Sequence, residues 1–297
     1  MKNFLVLALS ALLVFAAGTA WLLLYPAVPR DLGGAPDLDG AARHVRIAVA
    51  EGDSLDAWVL RGTRPGVIVA FHGYARDHAR VWRYAQFLRR DGWTIVAPDF
   101  RSSREKGRKP TTLGAYERED AEAVLRWIAS RPELASQPLG LFGESLGGSV
   151  ALVVAADHPG VRVVVADCPF ANGRMAIEDG CACEGHVPVV PFAAITRAIG
   201  RVATGHDPAA LDVVDAVRRW GDRPLFLVQA GIEDRFRIPQ TRLLENAAGA
   251  NTEAWRVADA GHNQAWIRHR DEYERRVRGF YREFLRDPSR VRVEVSR

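Results

Sequence analysis

Apolar residues along this chain fall into two kinds of run, and their order predicts most of the fold. Residues 66–70, 94–97, 138–142, 161–167 and 225–230 are short runs rich in Val, Ile, Leu, Phe and Ala, bounded by Gly, Pro or polar residues. Runs of that length without polar alternation predict strands buried on both faces. Longer segments lie between them. Residues 146–157 are apolar almost throughout and predict a buried helix. Residues 272–285 place Tyr273, Val277, Phe280, Tyr281 and Phe284 on one face, the stripe of a helix packed against a core. Two segments near the start, residues 44–50 and 55–61, predict a hairpin. Strands alternating with helices predict an α/β fold: a mostly parallel central sheet with helices on both faces and an antiparallel edge.

Length and composition agree. The chain has 297 residues, of which 48% are hydrophobic, enough for one α/β domain of this kind. The expected organisation is a membrane anchor or signal segment over residues 1–25 and a linker over residues 26–43. A main domain follows over residues 44–288, with an insertion at about residues 171–207 and a tail at residues 289–297.

Residues 4–25 carry no charge and are ended by Pro26. A helix of that length rises about 33 Å, enough to cross the hydrocarbon core of a bilayer. A cleaved signal peptide competes, with Ala16-Ala17-Gly18 or Gly18-Thr19-Ala20 as small-residue cleavage sites. The apolar run continues past either site through Trp21 and Tyr25, which favours an uncleaved anchor with those two rings in the interfacial layer. Lys2 and the short flank before the run place the main domain on the extracytoplasmic side, secretion after cleavage being the alternative.

The net charge is +4, and the basic residues are almost all Arg. The basic cluster at residues 101–109 has few aromatic neighbours and no accompanying nucleic-acid motif, so no nucleic-acid partner is expected. Charge does not change the picture otherwise.

Chemistry enters at residues 143–147, Gly-Glu-Ser-Leu-Gly, which sit between a predicted strand and a predicted helix. A Gly-x-Ser-x-Gly in that setting is a nucleophile elbow. The turn is so tight that small residues must flank the serine, which is thrust out at the carboxyl end of the sheet. Ser145 is then a candidate nucleophile, with a simple helix cap as the competing reading. Such a serine needs a base and an acid. Gly231-Ile232-Glu233-Asp234 follows one predicted strand, and Asp259-Ala260-Gly261-His262 follows the predicted strand at residues 252–257. Both polar sets emerge past strand carboxyl ends, in the order Ser, acid, His.

Further segments carry a family resemblance: Phe71-His72-Gly73-Tyr74, Asp99-Phe100-Arg101, the spaced set Thr112, Gly114, Glu117 and Asp120, and Ile238-Pro239 after the acid loop. With the elbow and Gly261-His262, they resemble the α/β-hydrolase superfamily, in its serine aminopeptidase-like branch of small hydrolases, over residues 49–285. Ser102-Ser103 departs from relatives that carry Gly after the Arg. The resemblance implies the α/β-hydrolase fold with a short cap. It implies Ser145 as nucleophile, His262 as general base and acid, and Asp234 as the carboxylate that orients His262. It also implies the backbone N–H groups of Tyr74 and Leu146 as an oxyanion hole, each worth about 3 kcal/mol. Glu233 and Asp167 are the rival acids. His72 reads as a loop-shaping residue, and His44, His158, His206 and His269 as surface groups.

Cys168, Cys181 and Cys183 remain. With His186 they lack a recognised ligand spacing, so no metal is expected, and no organic cofactor is required. In an oxidising compartment Cys168 is expected to pair with Cys181 or Cys183; in the cytoplasm all three stay reduced. The expected activity is hydrolysis of an ester, thioester or amide through an acyl-enzyme, on a small acyl or peptidyl substrate, at a membrane contacted through residues 4–25. A serine peptidase, an acyltransferase and a catalytically idle binding protein are the alternatives, and oligomeric state is not encoded in any pattern seen here.

Overall fold

A computed structural model describes residues 2–28, 42–49, 52–104 and 109–285. Most of the expected linker and the whole expected tail lie outside the described residues. In chain order the elements begin with α1 (Lys2–Leu24), β1 (Ala42–Ala48), β2 (Ser54–Leu60), β3 (Val67–Phe71), α2 (His78–Arg90) and β4 (Thr94–Pro98). Then come α3 (Ala115–Ala129), α4 (Pro132–Ala135), β5 (Leu139–Glu144), α5 (Leu146–Asp157), β6 (Val161–Asp167), α6 (Gly173–Asp179) and α7 (Val189–Thr204). The last are α8 (Val213–Trp220), β7 (Leu225–Ala230), α9 (Gln240–Ala247), β8 (Thr252–Val257), α10 (Ala265–Arg268) and α11 (Arg270–Phe284).

The strands form one eight-stranded sheet in the order β1-β2-β4-β3-β5-β6-β7-β8. β1 and β2 are an antiparallel hairpin, β2 is antiparallel to β4, and from β4 to β8 every pairing is parallel. This is the sheet the apolar runs predict. Because successive strand residues point to opposite faces, β3 sends Val67, Val69 and Phe71 to one core and Ile68 and Ala70 to the other. The first core is closed by α3, α5 and α8, with Val124, Val150, Val154 and Val217 fully buried. The second is closed by α2 and α11 through Phe87, Tyr273, Val277 and Tyr281. Each such side chain contributes about 1.5–3 kcal/mol on burial. The parallel strands end together, so every loop that follows one opens at the same edge.

α1 differs from the expected free-standing span. Its backbone is helical over 23 residues, but among the described residues no helix is long and apolar enough to cross a membrane. One face of its second half is docked on the cap. Ala16, Ala20 and Leu24 are buried, and the Phe15 ring meets Phe192 of α7 edge-on at 5.8 Å. The Leu24 carbonyl accepts the Thr111 N–H at 2.8 Å, tying the helix end to the main domain.

The cap between β6 and β7 holds two helices, α6 and α7, joined through a π-type turn at Gly180–Glu184. All three cysteines are free thiols, which corrects the expected bridge. Cys181 packs with Ala16, Ile177 and Phe192 inside the cap, whereas Cys168 faces Glu233 and His262 at the sheet edge. Cys181 belongs to the cap cluster, and Cys168 does not.

Candidate active site

The elbow forms as the sequence requires. β5 runs into α5 through Ser145 at φ 54°, ψ −119°, a conformation that L residues adopt only under constraint. Small neighbours make it possible. A Cβ on Gly143 would lie 2.3 Å from the Gly147 carbonyl oxygen, and one on Gly147 would lie 2.4 Å from that of Phe71. The Ser145 N–H donates to the Asp167 carbonyl at 2.8 Å, and the Ser145 carbonyl accepts from Ser149 N–H, the first turn of α5.

His262 arrives from the loop after β8, with its Nε2 3.0 Å from Ser145 Oγ. Two backbone bonds lock that loop to the one after β7: Gly231 N–H to the Val257 carbonyl at 2.8 Å and Ile232 N–H to the Ala260 carbonyl at 3.0 Å. The register they set decides which carboxylate meets the imidazole. Glu233 does: both its oxygens lie 3.2 Å from His262 Nδ1. Asp234, the expected acid, turns to the backbone instead, where Oδ1 accepts the His262 N–H at 3.4 Å. The carboxylate at the ring is thus the chain neighbour of the expected one. Glu233 is held in turn by the Arg235 N–H at 2.9 Å, and the Phe236 ring stands edge-on to His262 at 5.1 Å. Asp167, the other rival, lies buried on the Tyr273 hydroxyl, which donates to it at 2.9 Å. Burial, and then the Glu144 charge, push its pKa up to about 6.

Tyr74 and Leu146 both line the cavity beside Ser145. Gly73 lets the Tyr74 loop approach: a Cβ there would come within 3.4 Å of the Ser145 Cβ. His72 shapes the loop. Its Nε2 accepts the Phe100 N–H at 3.1 Å, so the proton sits on Nδ1, which donates to the Gly73 carbonyl at 2.8 Å. Burial holds its pKa below the ordinary imidazole value, in keeping with that neutral tautomer.

The remaining motif residues are scaffold. Arg101 Nε bonds Asp120 at 2.5 Å. Glu117 accepts from both threonines, Thr111 at 2.7 Å and Thr112 at 2.9 Å, and from the Gly114 N–H at 2.9 Å. Ser103, where the sequence departs from the pattern, donates to the Arg76 carbonyl at 2.5 Å and so supports the same loop. Of the other histidines, His269 pairs with Asp259 and His44 with Asp56, both exposed.

Sequence reasoning missed three features. Glu144, the variable residue of the elbow, is 1% exposed and accepts from Arg80 Nε at 3.0 Å. Cys168, at φ 51°, brings its sulfur within 4.8 Å of a Glu233 oxygen and a His262 nitrogen; burial raises its pKa and keeps it a thiol. The end of α1 reaches the cavity, where Leu23 and Leu24 form part of the wall and the Leu23 carbonyl accepts the Tyr74 hydroxyl at 2.7 Å. No local pattern marks any of these; each is a contact between segments far apart in the chain. The cavity measures about 330 Å³, at the small end for ligand pockets.

Comparison with known proteins agrees with the architecture. The family model described as alpha/beta hydrolase fold matches residues 66–179. The chain is 25% identical over 223 residues to the uncharacterized protein YqkD of Bacillus subtilis, covering 73% of this chain and 71% of that one. It is 29% identical over 168 residues to a monoacylglycerol lipase of Mycolicibacterium smegmatis, covering 55% of each. Among solved structures, an esterase of Pyrococcus furiosus superposes with a TM-score of 0.70 at 20% identity, covering 88% of this chain and 99% of that one. The chain has the α/β-hydrolase fold.

Proposed function

We propose that this protein is a serine hydrolase that cleaves an ester, thioester or amide through an acyl-enzyme. The observation that carries the reading is the line Ser145 Oγ, His262 Nε2, His262 Nδ1, Glu233, with contacts of 3.0 and 3.2 Å. Ser145 Oγ attacks the carbonyl carbon while its proton passes to His262 Nε2. Glu233 accepts from Nδ1–H, fixes the tautomer that leaves Nε2 free, and stabilises the imidazolium as it forms. The developing oxyanion faces the backbone N–H groups of Tyr74 and Leu146. His262 then protonates the leaving group, and water repeats the sequence to release the acid. Glu233 acts through His262 and is a positioning residue. Both ester and amide substrates stay within this reading, since a lipase, an esterase and peptidases are all among the similar proteins.

The test is covalent and kinetic. A fluorophosphonate probe is expected to label the protein at Ser145, and Ser145→Ala is expected to lose labelling and lower hydrolysis of 4-nitrophenyl esters by about four orders of magnitude or more. Undiminished turnover in Ser145→Ala would falsify the mechanism.

A second reading concerns location. α1 holds the protein against a membrane, with the catalytic domain outside the bilayer. Its support is the uncharged run of residues 4–25 and the large apolar side chains that α1 leaves exposed away from the cap, among them Phe4, Val6, Leu7, Val14 and Leu22. Trp21 and Tyr25, with ring centroids 4.3 Å apart, mark the end that faces the interface.

A further inference from the structure

Three guanidinium groups line the cavity beside Ser145, those of Arg76, Arg80 and Arg235, and two carboxylates share the wall, Glu144 and Glu184. The acids are taken. Glu144 accepts from Arg80 Nε at 3.0 Å and from Arg83 Nη2 at 3.5 Å. Glu184 pairs with Arg235. Arg76 is left over: its Nη1 donates to the carbonyl of the adjacent Ala75 at 3.2 Å, and no carboxylate among the described residues pairs with it.

Its place is built. The Ser103 hydroxyl holds the Arg76 carbonyl, and Ala75 before it sits at φ 55°, in the left-handed region that non-glycine residues seldom occupy. The side chain is half-buried; burial and then the like charge of Arg80 lower its pKa, with the Glu144 charge opposing them only in part. A guanidinium does not give up its proton under such pressure at neutral pH. It waits for a counter-charge, and its planar fork matches a carboxylate or phosphate.

We infer that the cavity takes acyl substrates bearing an anionic group, a carboxylate or a phosphate, and that Arg76 binds that group. The inference rests on the serine-hydrolase reading and names its substrate class. Arg76 follows the Tyr74 loop by two residues, so the anion and the carbonyl under attack lie in one small cavity. The substrate is therefore short between its charge and its scissile bond.

Binding to Ser145→Ala tests this independently of turnover. The anionic ligands are 4-nitrophenyl hydrogen glutarate, with the charge on the acyl side, and 4-acetoxybenzoate and 4-acetoxyphenyl phosphate, with it on the leaving-group side. Their neutral counterparts are 4-nitrophenyl pentanoate and methyl 4-acetoxybenzoate. Calorimetry is expected to show at least one anion binding about tenfold more tightly than its neutral counterpart, with the advantage shrinking as salt rises. Adding Arg76→Gln should reduce the ratio to near one, and Arg76→Lys should restore part of it. The phosphate and carboxylate arms tell which anion the site prefers. Equal affinities for anions and neutral esters, or no detectable anion binding, overturn the inference. So does an advantage that survives Arg76→Gln. Hydrolysis of 4-nitrophenyl pentanoate by the unaltered protein is read separately, so loss of the anion preference and loss of the hydrolase reading are distinguishable.

Discussion

Glu233 and Asp234 are neighbours of equal charge that meet different atoms of His262, one at the ring and one at the backbone N–H. Only the first can fix the tautomer, because it accepts from Nδ1–H and so leaves Nε2 free to take the Ser145 proton. Glu233→Gln is therefore expected to lower kcat by about three to four orders of magnitude, since an amide in that place favours the wrong tautomer. Asp234→Asn should change kcat by less than about tenfold, as the amide oxygen can still accept the one long bond from the backbone N–H. Steady-state kinetics on 4-nitrophenyl esters check both, and the reverse ranking would return the acid to Asp234. The meeting of Ser145 and His262 was legible because each sits in a motif with a physical reason: an elbow only glycines permit, and a Gly-His after the last strand. Choosing between two adjacent carboxylates was not legible. Chain order places both at the same sheet edge, and the backbone bonds of Gly231 and Ile232 to the neighbouring loop decide which one faces the ring.

At the level of elements, α1 contributes to the site, beside the membrane role proposed for it. A reading confined to the chain's order leaves the segment outside the catalytic domain, since all of the sheet lies downstream. Its last residues instead wall the cavity, and the Leu23 and Leu24 carbonyls accept from Tyr74 and Thr111. Deleting residues 1–28 is expected to release the protein from the membrane pellet. It should also raise KM for 4-nitrophenyl pentanoate, by roughly tenfold, because the hydrophobic contact of two leucines is worth one to a few kcal/mol. Fractionation and kinetics on the truncated protein read the two roles apart. Full-length protein washed off membranes by high salt would remove the first, since salt does not screen apolar burial, and an unchanged KM would remove the second. The helix itself was plain in the sequence. Its docking on α7 was not, because the small-residue face made by Ala16 and Ala20 has no signature within so uniformly apolar a run.

Across the whole molecule the sheet is the frame, and Asp167 at the end of β6 is a charge held inside it. Its Oδ2 accepts from the Tyr273 hydroxyl, and the Cys168 thiol bonds the same carboxylate. With its pKa raised to about 6 from an ordinary 3.8, the native state keeps this proton over a range where the unfolded chain has lost it. Its contribution to stability is full below about pH 4 and is lost as pH rises to about 6, by roughly 3 kcal/mol. Asp167→Asn removes that slope. Urea unfolding of both proteins at pH 4 and pH 7 is expected to show the variant gaining about that much relative to the parent at the higher pH; a pH-independent difference would show that Asp167 titrates normally. The sequence alone determined the parallel sheet, its antiparallel edge, the elbow at Ser145 and the arrival of an acid and His262 at one edge. Those follow from periodicity, chain order and glycine sterics, which are local. The tertiary structure alone decided that Glu233 meets His262, that α1 walls the cavity, that Cys181 packs inside the cap while Cys168 faces His262, and that Arg76 lines the cavity with no carboxylate paired to it among the described residues. Each of these depends on distances between segments remote in sequence, and no pattern of residue types along a chain encodes such a distance.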